Sequence, residues 1–340
     1  MKPLPKIGVR LHGSISAREC VEKAQAAEKA GLEALWFAEN AFARGILPAA
    51  AACAVSTQRI KIQAGVFNPF SRHPTMMAME IGALDELSNG RVGVSIGAGI
   101  GSAVEKMGLS AAKPLGALRD TVAIVRALLA GEVVNHEGSA FSAKNVKLDF
   151  ETRKDIPLFL AGRGEKTLML CGQAADGLIV SNMCAAAYSA KCAEIVHTAA
   201  SNANRQPPRI IQYMPCAVAA DGAKAVAAAK RMLGELVPSF WSLSQRVPSA
   251  KTALLLGTGI EEEDFARVSK QIRDGGDPAE VLDDRFVRAF AIAGTPEECV
   301  EQARLYGAAG VNEIALTFQD ELEFDDLRAF GEALARARVG

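Results

Sequence analysis

The 340-residue chain has only four histidines, His12, His73, His136 and His197, on separate segments and without an HExxH or other ligand spacing. A metal site is therefore not expected. Its seven cysteines, an odd number, include no CxxC pair and fall mostly in Ala-rich apolar settings. They read as small buried hydrophobes, not disulfides or zinc ligands. Basic residues number 38 against 39 acidic ones, and no Lys/Arg run of the kind that neutralises phosphate backbones occurs, so nucleic acid is not an expected partner. No stretch reaches the roughly 18 uninterrupted apolar residues of a membrane span. The start, "MKPLPKIGVRL", lacks the apolar region and cleavage site of a signal peptide. A soluble, cytoplasmic protein without membrane contact is expected. A Walker A motif is missing as well.

What is present is an alternation of short apolar runs with helix-period segments, the mark of parallel strands covered by helices. Eight runs qualify as strands: "KIGVRLH", "EALWFAE", "IKIQAGVFN", "RVGVSIGAG", "PLFLAG", "GLIVSN", "RIIQYMPCAVA" and "VNEIALTF". Helical stripes lie between them, such as Cys20, Ala24, Ala27 and Ala30, or Leu118, Val122, Val125 and Leu128. Ser16 with Glu19 and Thr295 with Glu298 have capping-box spacing, and Pro296 suits a first helical position. Eight such units predict an α/β fold of the (β/α)8 TIM barrel type, in one domain over residues 1–340. Two intervals exceed ordinary loops: a hairpin insertion near 132–150 and a helical insertion near 234–292, the second expected to wall the barrel mouth.

In such barrels the chemistry collects where strands end, which directs attention to Arg10 and His12, Glu39 and Asn40, Asn68, Gly97 to Gly101, Gly162 to Lys166, and Ser181 with Asn182. The stretch "GVFNPFSRHP" is one of these ends: an apolar run that finishes in crowded polar and rigid residues. His73 before Pro74 suits a helix start better than catalysis. Glu39 differs, because a carboxylate closing "ALWFAE" lies in the mouth, where burial tunes its proton affinity. Met76, Met77 and Met79 read as helix packing.

Two glycine clusters suit an anionic cofactor. "IGAGIGS" has GxGxG spacing and so fails the dinucleotide fingerprint. "LAGRGEKTL" follows a strand and opens a helix, where bare N–H groups, the helix dipole, Arg163 and Lys166 suit a phosphate. Ordinary turn glycines with solvated basic side chains satisfy the same pattern.

Taken together, "GVFNPFSRHPTMMAMEIGALDELSNGRVGVSIGAG", "IPLFLAGRGEKTLMLCGQAADGLIV", "AEKAGLEALWFAEN" and "IAGTPEECVEQARLYGAAGVNEIAL" resemble the bacterial luciferase-like family of flavin and deazaflavin barrels. The resemblance is strongest to its coenzyme F420 branch, which includes methylenetetrahydromethanopterin reductase. It implies an oxidoreductase in which F420 exchanges a hydride with a small-molecule carbon substrate. It also implies a non-prolyl cis bond between Gly65 and Val66. Gly65, Val66 and Asn68 would contact the ring, Gly97, Ala98 and Gly99 its neighbourhood, and Gly162, Arg163, Gly164, Glu165 and Lys166 the phosphate. Glu39 would handle a proton or polarise the cofactor, with Asn40 as hydrogen-bond partner. Many relatives carry His where this chain has Asn40, and the methanopterin reductases carry a carboxylate near Arg10. Arg10 and His12 are therefore assigned to substrate, Arg10 suiting an anionic one. An FMN-dependent monooxygenase served by a flavin reductase, and a non-catalytic flavin-binding barrel, are the alternatives. Family members commonly pair, which implies a homodimer.

Overall fold

The computed structural model describes residues 2–99, 101–319 and 324–339. Eleven strands are found among them: β1 (Lys6–His12), β2 (Ala34–Ala38), β3 (Lys61–Phe67), β4 (Val92–Gly97), β5 (Val134–Glu137), β6 (Ser142–Val146), β7 (Leu158–Ala161), β8 (Gly177–Val180), β9 (Arg209–Val218), β10 (Ile292–Gly294) and β11 (Glu313–Phe318). Eight of them, β1, β2, β3, β4, β7, β8, β9 and β11, pair in parallel in that order, and β11 closes on β1. This is the expected (β/α)8 barrel, and its strand ends lie within two residues of the apolar runs.

Closure follows from the two-residue alternation of side chains along each strand. One set, including Ile7, Val9, Leu35, Phe37, Ile62 and Val94, packs outward under the helices. The other, Ala34, Trp36, Phe159, Ile179, Ile211, Tyr213 and Ala315, fills the barrel. Trp36 anchors the fill, its ring meeting Phe159 edge-on at 5.1 Å and Tyr213 at 6.1 Å. Its Nε1 donates to Glu313 at 2.5 Å, and burial raises the proton affinity of that carboxyl.

Both expected capping boxes form, at Ser16/Glu19 and Thr295/Glu298. All seven cysteines are buried thiols. Met77 is buried, whereas Met76 and Met79 are each 46% exposed on the same helix.

The hairpin β5–β6 pairs antiparallel and stands apart from the barrel sheet. Asp120 fixes its turn by accepting from the amides of Ala140 (2.7 Å) and Phe141 (3.1 Å) and facing His136 Nε2 at 3.2 Å. The interval before β11 is helical, but its expected start at Gly234 falls inside the helix Gly222–Ser244. That glycine is no breaker; it lets Pro278 pack where a Cβ has no room. The helices Glu262–Arg273 and Asp284–Phe290 complete an apolar cluster there, with Phe265 stacked on Trp241 at 5.8 Å. The three-residue β10 pairs with the distal end of β9 and is too short to show an alternation. No helix of the described residues is long and apolar enough to cross a membrane.

Candidate active site

The mouth is built around the irregular end of β3. The peptide bond between Gly65 and Val66 is cis, and the pairing of β3 with β4 slips between Ala64 and Phe67. Gly65 has φ of 134°, and a Cβ there would run into the Ser95 carbonyl. Across the slip, a Cβ on Gly97 would lie 2.7 Å from Val66 Cγ1. Two strands thus press together with backbone in place of side chains, and the Gly65 carbonyl accepts from the amide of Glu39 at 3.0 Å.

Beyond the strand, Asn68 turns the chain. Its Nδ2 donates to the Ala98 carbonyl at 3.2 Å and its Oδ1 accepts from the Phe70 amide at 2.9 Å. The helix Pro74–Leu87 then begins with His73 as its N-cap, accepting from the Thr75 amide. The polar crowding of "GVFNPFSRHP" is thereby explained: each member turns, caps or pairs.

Arg72 was not singled out from the sequence, yet it organises the mouth. Its guanidinium lies 3.0 Å from Glu39 Oε1 and 2.5 Å from Glu80 Oε2, with its carbon 5.0 Å from the Phe67 ring centroid. Burial alone would lower its proton affinity; the two carboxylates outweigh burial and raise it. The only signal in the sequence was its place, four residues after a strand-ending Asn.

A cavity of about 650 Å³ opens here, bordered by Glu39, Asn40, Val66, Asn68, Arg72 and Gly99, and also by Lys106 and Met107. Lys106 and Met107 had no pattern to announce them. Gly65 of β3, Gly97 at the end of β4 and Ala98 after it adjoin these residues in the chain without bordering the cavity. The structure brings these expected residues together, but it does not place the others around the same cavity.

Arg10 and His12 border a separate recess of about 200 Å³ beside Thr317 and Phe318. Register nevertheless keeps them close, since His12 pairs with Ala38, the residue before Glu39. Arg10 donates from Nη1 to Thr317 Oγ1 at 3.2 Å and lies over the Tyr213 ring at 5.2 Å; burial lowers its proton affinity.

The Gly162–Lys166 turn also lies outside that wall. Arg163 is engaged: its Nη2 donates to Ser181 Oγ and, at 2.8 Å, to the Asn182 carbonyl, while Phe240 of the inserted helices covers its guanidinium at 4.9 Å. Tyr188 donates to the Arg163 carbonyl at 3.1 Å. Gly164 caps the helix Glu165–Ala174 without any side-chain bond; its carbonyl takes the Thr167 amide at 2.8 Å, the amides of Glu165 and Lys166 are left open, and both residues are exposed. Among the described residues, no three His, Cys, Asp or Glu side chains converge as a metal would require.

The family description "Luciferase-like monooxygenase" matches residues 3–313. The chain is 28% identical to a 5,10-methylenetetrahydromethanopterin reductase of Methanolobus tindarius, over 86% of this chain and 87% of that one. Its fold is similar to that of the coenzyme F420 dependent tetrahydromethanopterin reductase from Methanopyrus kandleri, with a TM-score of 0.87 at 22% identity over 98% of this chain and 99% of the other. It is also similar, with a TM-score of 0.74 at 18% identity over 98% and 99%, to the oxygenating constituent of 3,6-diketocamphane monooxygenase from Pseudomonas putida, solved with FMN.

Proposed function

The chain belongs to the luciferase-like monooxygenase family, and from that premise we propose that this oxidoreductase uses coenzyme F420 to exchange a hydride with a small carbon substrate. The observation that carries the reading is the cavity of about 650 Å³ bordered by Val66 of β3 and by Asn68 and Gly99 just past the ends of β3 and β4, with an ion-paired carboxylate at its edge. That volume lies within the roughly 300–1,000 Å³ of cofactor and ligand pockets. Gly65, Gly97 and Gly99 let β3, β4 and Asn68 pack without intervening side chains, which fixes this side of the cavity, and a cavity of this size bordered by Glu39, Asn68 and Arg72 fits the cofactor.

When bound, the deazaflavin supplies the hydride chemistry. The protein's part is position and charge. Gly65, Val66 and Asn68 would support the ring, with Gly97, Ala98 and Gly99 beside it. Glu39 would accept or return the substrate's proton, held in place by Arg72, with Asn40 as a hydrogen-bond donor that does not titrate. The open amides after Gly164 and the Lys166 ammonium would take the phosphate, with Arg163 shaping that turn through Ser181 and Asn182. The relatives of Methanolobus and Archaeoglobus are named for methylenetetrahydromethanopterin; a different substrate is proposed here, because the family resemblance implies a carboxylate where this chain has Arg10.

The likeness to an FMN-bound oxygenase favours a second reading, a monooxygenase receiving reduced FMN from a reductase. Purified protein is to be incubated with F420 and with FMN separately and the retained absorbance recorded after gel filtration. Retention of F420 near one per chain supports the proposal, retention of FMN alone transfers it to the second reading, and retention of neither removes both. A homodimer is also proposed, on the exposed apolar side chains Val55, Met76, Met79 and Leu87 of two adjoining helices. Light scattering behind the same column tests it.

A further inference from the structure

The buried arginines of this chain show how it treats a guanidinium used only for structure. Arg91, 7% exposed, donates from Nε to the Ser88 carbonyl, from Nη1 to Thr57 Oγ1 and the Ile60 carbonyl, and from Nη2 to the carbonyls of Ala54 and Thr57. Arg304, 6% exposed, bonds Glu301, the Lys2 carbonyl and the Ala337 carbonyl. Every guanidinium nitrogen in both is used.

Arg10 is treated differently. It has one hydrogen bond, from Nη1 to Thr317, and its Nε is enclosed without any partner; Arg72 and Arg163 share the unpartnered Nε but each make two hydrogen bonds. Among the described residues no carboxylate pairs with it. Tyr213, which lies under its guanidinium, has a buried hydroxyl that is likewise unpartnered. A buried donor left unmade costs about 1–3 kcal/mol, more when charged, and an arginine cannot escape by losing its proton. Tyr213 is 4% exposed and belongs to the barrel fill, so these donors lie inside the barrel, just below its mouth. The recess of about 200 Å³ bordered by Arg10 and Thr317 admits a small group; Glu22 and Lys23 also line it, and Glu19, a third charged residue there, is held in its capping box.

We propose that Arg10, Tyr213 and Thr317 form an anion subsite, and that the substrate of this oxidoreductase carries a carboxylate seated there. The guanidinium fork matches a carboxylate in shape and charge, and the two hydroxyls supply further donors. The proposal rests on the F420 reading for the reaction but not for the binding. His12 borders the same recess, one step from Glu39 along the β1–β2 register, so a carboxylate held by Arg10 leaves the rest of a short substrate reaching towards the larger cavity.

The test compares succinate with the isosteric neutral succinamide by calorimetry, on wild-type protein and on the variants R10M, R10K and Y213F, each with and without F420. Succinate is expected to bind wild type at least tenfold more tightly than succinamide. R10M should remove that preference, and R10K and Y213F should reduce it. R10M should also raise the Tm of the ligand-free protein, because an uncompensated charge has been replaced by an apolar chain of similar length. Equal affinity for succinate and succinamide in wild type would overturn the proposal. So would a lower Tm in R10M with succinate binding unchanged, the result of a purely structural arginine. Loss of F420 affinity in R10M without any succinate preference would give the charge to the cofactor and overturn the substrate assignment. If R10M does not fold, R10K and Y213F decide alone. If wild type prefers succinate yet retains no F420, the subsite stands while the cofactor reading falls.

Discussion

Glu39 and Glu80 face each other across one cation, Arg72, whose Nη2 lies 3.0 Å from Glu39 and whose Nη1 lies 2.5 Å from Glu80. The two carboxylates come from β2's end and from the helix after β3, so a single side chain ties the catalytic candidate to the element that carries the strand irregularity. Its remaining donor, Nε, is enclosed and unpartnered.

Replacing Glu39 with Gln keeps the shape and removes the charge. If Glu39 handles a proton, turnover falls about 10²- to 10⁴-fold, the usual worth of a positioned acid or base. Tm should move little, because Glu80 remains to pair Arg72. Steady-state kinetics of the F420-loaded enzyme, with thermal melting alongside, check this; an unchanged kcat removes Glu39 from the mechanism.

Arg72→Leu tests the bridge. It leaves Glu39 and Glu80 without their shared counter-charge, so the expected effect is a lower kcat together with a modest loss of stability. In a double-mutant cycle with E39Q the two effects should fail to add by about 0.5–3 kcal/mol, as contacting residues do. Additive losses would show that Arg72 acts elsewhere.

The hairpin offers a prediction in pH. Burial alone would raise the proton affinity of Asp120; the amides of Ala140 and Phe141 together with His136 outweigh it and hold the carboxyl below its ordinary value. A depressed carboxyl contributes stability that is present above its unfolded pKa of about 3.9 and disappears as pH falls through the lower folded value. D120N should therefore cost about 1–3 kcal/mol at neutral pH, the penalty of unmaking buried bonds to a charge. The gap between wild type and variant should narrow below about pH 4. Urea unfolding across that range measures it.

The architecture was legible because all eight barrel strands carry near-continuous apolar runs between helical stripes, and their parallel pairing needs no other information. Glu39, Asn68 and Gly99 were also legible, since each closes a run, whereas Val66 was implied only by the family resemblance. What escaped depends on contacts distant in sequence. Arg72 matters through two carboxylates, one 33 residues earlier, and no local pattern encodes that. Gly234, near the expected start of the insertion, lies inside a helix, and Pro278, far along the chain, supplies the reason for a glycine there. Arg163 looked like a free cation until Phe240, Ser181 and Asn182 enclosed it. Short elements such as β10 carry too few residues for any period to register.

At Gly65 the φ of 134° and the nearby Ser95 carbonyl leave no room for a side chain. Gly65→Ala should cost about 1–3 kcal/mol or more by overpacking alone. It should also displace the wall of the large cavity, so F420 retention falls further than Tm predicts. Equal retention at a matched fraction folded would show that this wall does not face the cofactor.

Phe240 gives a last prediction, because among the described residues it is the one aromatic contact between the inserted helices and the Gly162–Lys166 turn that involves a cation. Its ring lies 4.9 Å from the Arg163 guanidinium, which in turn holds Ser181 and the Asn182 carbonyl. Cation–π contact is worth about 0.5–2 kcal/mol depending on exposure. Phe240→Ala should therefore weaken cofactor binding about 2- to 30-fold, the same range expressed in affinity. Phe240→Leu, which restores apolar volume without a ring, should recover folding stability but not affinity. If Leu recovers both, Phe240 only fills space. If neither substitution changes F420 affinity while Lys166→Ala does, the helix amides and Lys166 hold the phosphate unaided, and the inserted helices serve the substrate side of the mouth instead.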